Sequence, residues 1–122
     1  MWMGWLSAGK IEMIVGTTFF KMDGNPYYSP EFGRGGLSAT FGVDTTQVVG
    51  APTVTITVEH RNPDEVSFAS LGAFDDITAV GAKQKDLTGC KEILRLRYMF
   101  AGGDDPTDGI HLLMQAPSWR PY

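Results

Sequence analysis

The chain has 122 residues, 43% of them apolar and 11% aromatic, with ten basic against fourteen acidic side chains for a net charge of −4. A disordered chain would combine low hydrophobicity with high net charge, and a direct nucleic-acid binder would gather its basic residues into a stripe; this composition argues against both. Cys90 is the only cysteine, which excludes an internal disulfide, and no run nears the roughly 20 apolar residues of a membrane-spanning helix.

Met1 to Lys10 lacks the basic n-region and continuous apolar stretch of a signal peptide. The expectation is therefore a soluble protein made in the cytoplasm: one domain over residues 11–122, preceded by an N-terminal arm over residues 1–10. Fifteen glycines in this length imply many turns and short elements.

In chain order, strands are expected near Met13 to Met22 and Leu37 to Val43, separated by the turn clusters Gly24-Asn25-Pro26 and Gly33-Arg34-Gly35-Gly36. The glycine-rich cluster reads as a flexible turn. A weaker strand is expected at Gln47 to Val49. From Thr53 to His60, Val54, Ile56 and Val58 alternate with Thr55, Thr57 and Glu59, the period of a half-buried strand. Pro52 and Asn62-Pro63-Asp64 punctuate its ends.

Further strands are expected at Val66 to Leu71, weakly at Ile77 to Val80, and at Ile110 to Ala116. Ala79, Ala82, Lys83, Gln84 and Lys85 suit a short helical turn within Ile77 to Cys90. Glu92 to Phe100 alternates again, with Leu94, Leu96, Tyr98 and Phe100 on one face and Ile93, Arg95, Arg97 and Met99 on the other. The two arginines then look outward, to solvent or a partner. Seven or eight short strands predict an all-β, two-sheet antiparallel sandwich with jelly-roll or Greek-key connections.

No residue set names a reaction. His60 and His111 are the only histidines and lie at or within strands, short of the three or four ligands that a zinc site needs. Asp104, Asp105 and Asp108 could offer oxygens to calcium, but Pro106 stands where an EF-hand loop places its second carboxylate, and a polar hairpin loop is the simpler reading. Asp75-Asp76 point to opposite faces if extended. There is no Gly-x-Ser-x-Gly elbow and no phosphate-cradling loop. The expectation is a protein that is not an enzyme and needs no cofactor.

Trp2, Trp5, Tyr27, Tyr28, Phe32, Trp119 and Tyr122 fall outside the central strands. Short aromatic ends, Met1 to Lys10 and Ala116 to Tyr122, suit arms that anchor on neighbouring subunits. Trp2, Trp5, Arg95, Arg97, Trp119 and Tyr122 are thus the candidate interface residues.

From about Val54 to Tyr122 the chain carries Thr57-Val58-Glu59-His60-Arg61-Asn62, Phe68-Ala69-Ser70-Leu71-Gly72, Lys91-Glu92-Ile93-Leu94-Arg95 and Pro117-Ser118-Trp119-Arg120. In these stretches, about half of the chain, it resembles the small β-sandwich structural proteins of tailed bacteriophages. The resemblance implies a capsid decoration protein or another minor virion component that packs against copies of itself and a shell protein, without contacting nucleic acid or membrane. The alternative is a carbohydrate-binding module whose surface rings stack on sugars.

Overall fold

A computed structural model of the chain describes residues 17–20, 26–102 and 109–122. Every regular element among them is a strand: β1 (Thr17–Phe20), β2 (Tyr27–Tyr28), β3 (Phe32–Gly33), β4 (Ser38–Val49), β5 (Pro52–Arg61), β6 (Ala69–Ala73), β7 (Gly81–Thr88), β8 (Ile93–Gly102), β9 (Gly109–Met114) and β10 (Ser118–Arg120).

β5 and β8 follow their alternation. Val54, Ile56 and Val58 are buried, and so are Leu94, Leu96, Tyr98 and Phe100, while the residues between them stay half-buried. The two strands pair antiparallel over their full length, from Pro52 opposite Gly102 to Arg61 opposite Ile93. β4 joins the segments expected separately at Leu37 to Val43 and Gln47 to Val49. Thr45 faces Leu112 and Gln47 faces His111, so Thr46 is the extra residue of a bulge that lets one strand run through.

The helical turn expected within Ile77 to Cys90 is corrected to a strand. Each residue of β7, from Gly81 to Thr88, lies opposite one of β4, from Thr45 to Ser38. That ladder satisfies backbone groups cooperatively, whereas a helix of this length is marginal alone, so pairing overrides the propensity of Ala, Lys and Gln. Of the weak strand at Ile77 to Val80 only a bridge between Ile77 and Val54 forms.

β9 and β10 lie along one edge of β4 and β7 along the other, because β7 spans the β4 residues that both of them reach. The first sheet is therefore ordered β7, β4, β9/β10, β1, and the second β2/β3, β8, β5, β6. Pro30 interrupts the line of β2 and β3, and Ser29 repairs the ladder: its Oγ accepts the Leu96 N–H at 2.8 Å and its own N–H donates to the Leu96 carbonyl at 2.9 Å.

The pairs are nested. Thr17 faces Leu112, Tyr27 faces Tyr98, Ser38 faces Thr88 and Thr57 faces Ala73, all converging on the loop between β5 and β6. The chain is in effect one long antiparallel hairpin rolled into two sheets. With eight strand positions in this order it is a jelly roll, the more specific of the two expected connections.

The core lies between the sheets. Ala39, Phe41 and Val43 from β4 and Ile110, Leu112 and Met114 from β9 meet the apolar faces of β5 and β8, with Phe32, Phe74, Ile77, Leu87 and Cys90 around them. The link from β4 to β5 crosses between sheets in two residues, and Gly50 there has φ 80°, a conformation that favours glycine. Lys83 and Lys85 stand opposite Val43 and Phe41, on the core-facing side of edge strand β7. Inward charges of this kind discourage a foreign strand from adding to an edge.

Candidate interaction surface

Because β5 and β8 alternate, the residues they do not bury form the outer face of the second sheet: Thr55, Thr57, Glu59 and Arg61 from β5, with Ile93, Arg95, Arg97 and Met99 from β8. Tyr28 joins them from β2, opposite Arg97, and Phe68 comes from the loop.

Arg95 organises this face. Its Nε donates to Glu59 Oε1 at 2.8 Å, directly across the ladder, and its guanidinium carbon lies 4.0 Å from the ring centroids of both Tyr28 and Phe68. Arg61 adds a second cation, 5.2 Å from the Phe68 centroid. Its Nη1 donates to the Glu65 carbonyl at 2.9 Å, and Nη2 lies 3.8 Å from Glu31 Oε1. A planar guanidinium stacks on rings and donates in its own plane at once, which is why arginine occupies this position.

The loop is pinned from its other side. Glu65 Oε1 accepts the Asn62 N–H at 2.7 Å, and Lys91 Nζ lies 3.0 Å from both Glu65 carboxylate oxygens. His60, buried at the end of β5, accepts the Lys91 N–H on Nδ1 at 3.2 Å, so that nitrogen carries no proton. Burial and then the Lys91 charge lower the His60 pKa, with Glu65 opposing, and the Asn62 and Lys91 hydrogen bonds lower that of Glu65.

Both pKa values are depressed in the folded state, so the stability linked to them is present above the unfolded values and is lost as pH falls through the folded ones. Unfolding midpoints in urea should be flat between about pH 7 and 8, below the range where buried Cys90 and Tyr98 titrate, and fall below the ordinary histidine value of 6.5. His60→Gln should remove that first loss, and an unchanged pH profile in the variant would contradict the assignment. Arg95→Ala would strand Glu59, whose side chain is 15% exposed, and bare two rings, an expected cost of about 2 kcal/mol in a denaturant melt with faster amide exchange across residues 62–68. Arg95→Lys should lose less, because the charge persists without the plane.

Arg97 is half-buried on the same face, with no acceptor among the described residues. Trp119 belongs to the sandwich: in β10 it faces Ala39, packs against the core, and meets Phe41 edge-on at 6.1 Å and 75°. Arg120 Nη1 donates to Thr40 Oγ1 at 2.9 Å, which donates to Asp86 Oδ1 at 2.5 Å. Of the expected C-terminal arm, Ser118–Arg120 is thus strand, and Tyr122 beyond it is 78% exposed.

The glycine cluster expected to be a flexible turn is packed beneath β10. A Cβ on Gly35 would lie 2.6 Å from Trp119 Cδ1, and one on Gly36 would overlap the Arg120 carbonyl oxygen. Phe32, outside the central strands, belongs to the core. Trp2, Trp5, Asp104, Asp105 and Asp108 lie outside the described residues. Among the described residues no group of three or more His, Cys, Asp or Glu side chains could hold a metal ion, and Asp76 accepts from Thr55 Oγ1 at 2.8 Å. Tyr28, Phe68 and Glu59 were not singled out as site residues, because their meeting depends on register and loop path.

No protein-family model, curated protein or solved structure matches the chain. The functional reading rests on the residues themselves.

Proposed function

We propose that this is a non-enzymatic structural protein that works by assembly, as a capsid decoration protein or another minor virion component made in the host cytoplasm, packing against copies of itself and a shell protein. The jelly roll serves capsid subunits and lectins alike, so the fold does not choose between them. The observation that carries the reading is the outer face of the second sheet. Aromatic side chains, Met and Arg are the types enriched at protein interfaces, and here Tyr28, Phe68, Arg61, Arg95, Arg97 and Met99 share one paired surface. A carbohydrate-binding module would want open ring faces, whereas Tyr28 and Phe68 both stack with Arg95.

The terminal arm is the second part of the proposal. Removing residues 1–10 should lower the size of the assemblies seen by light scattering and leave the melting temperature unchanged. Equal assembly by both chains would remove the arm from the proposal.

A further inference from the structure

Resting on the self-association reading above, we infer that Arg97 is the anchor of a head-to-tail contact, in which the outer face of the second sheet docks on the outer face of the first sheet of another copy.

The first observation is the isolation of Arg97. Arg34 donates to the Cys90 carbonyl at 2.6 Å, and Arg61, Arg95 and Arg120 each have acceptors within 2.9 Å. Arg97 has none among the described residues, although it sits half-buried in the middle of a sheet, between Thr57 on β5 and Tyr28 on β2. A guanidinium held there without an acceptor suits a carboxylate brought by a partner.

The second observation is charge. On this face Glu59 is engaged by Arg95, Glu31 lies beside Arg61, and Asp76 accepts from Thr55, so among the described residues Arg97 is the cation left without a carboxylate of its own. The outer face of the first sheet is complementary: it carries Asp44 on β4, which accepts from Gln115 Nε2 at 3.3 Å, and the exposed Asp86 on β7. Directly opposite residues share a face, so the small Thr40, Ala82, Thr88 and Ser118 lie around those carboxylates, together with Gln84, Leu113 and Arg120.

The third observation is size. Strand positions about 4.8 Å apart, ten residues long at β5 and β8, five at β6 and about seven from β2 to β3, at a rise of about 3.3 Å per residue, offer a flat area of about 500 Å2. Side-chain relief brings that near the roughly 800 Å2 per partner of a stable interface. Because the two patches differ, the contact is heterologous and repeats into a ring or a filament.

The test is sedimentation velocity of the full chain over a range of concentrations, at low and high salt, with Arg97→Glu and the double variant Asp44→Lys/Asp86→Lys. Arg97 holds no bond among the described residues, so Arg97→Glu should melt like the parent; Arg97→Gln serves if it does not. The parent should associate, more weakly at high salt, and Arg97→Glu should weaken association by roughly a hundredfold. Mixing the two variants should restore it, since Arg97 of one then meets the unaltered carboxylates of the other. If the parent associates and Arg97→Glu does so equally, or if the mixture stays apart, this contact is wrong while self-assembly stands. A parent that never associates removes the self-association reading itself.

Discussion

Phe41→Ala is expected to cost about 3–5 kcal/mol, a large part of the stability of a domain this size. Phe41 is fully buried in the middle of β4, and its strand is paired on both edges, with β7 on one and β9 and β10 on the other. The space left by the ring cannot be refilled by a shift of β4 without breaking a ladder. The lost area and the residual cavity therefore add. Trp119, edge-on to the ring at 6.1 Å, would lose that aromatic contact, so its emission should shift in a background where Trp2 and Trp5 are phenylalanine. Equilibrium urea unfolding measures the loss. A cost under about 1 kcal/mol would mean that the sheets close on the cavity freely, contrary to the packing described.

Gly36→Ala should cost about 3 kcal/mol or more, an unusual penalty for one methyl group. The added carbon would overlap the Arg120 carbonyl oxygen and lie 2.8 Å from its carbonyl carbon and 3.2 Å from its nitrogen. Those are backbone atoms, so relief requires β10 to lift away from β4. The pairs Ser118 with Thr40, Trp119 with Ala39 and Arg120 with Ser38 would go together with the Arg120 to Thr40 hydrogen bond. Gly33→Ala is the control. The nearest atom to its Cβ is the Glu92 carbonyl oxygen at 3.9 Å, so the cost should stay within about 0.5 kcal/mol. Equal melts for the two variants would show that β10 is not seated on the glycine turn.

The contrast between these glycines marks where reading the chain stops. β5 and β8 were legible because each buries one face only, so period two is written into Val54, Ile56 and Val58 and into Leu94, Leu96 and Tyr98. β7 was not. It is an edge strand that buries only Leu87, and its Ala, Lys and Gln carry a helical preference that only the ladder with β4 overrides. Trp119 looked like an arm for a related reason: nothing local says that Gly35 and Gly36 lie beneath it.

The candidate surface was half legible. Alternation alone put Arg95 and Arg97 on the outward face. It could not tell them apart, because the groups that engage Arg95 are Tyr28, Glu59 and Phe68, brought from β2, β5 and the loop after β5 by the rolled hairpin. Arg97 differs from Arg95 by the register of that roll, in which Thr57 rather than a carboxylate stands opposite.

Assembly is the central claim, and the absolute mass of the full chain, by size-exclusion chromatography with light scattering over a wide range of concentration, tests it most directly. The account predicts a mass that climbs from the 13.3 kDa of one chain toward a discrete multiple, or toward an open series, as concentration rises. A mass of 13.3 kDa at every concentration would contradict it.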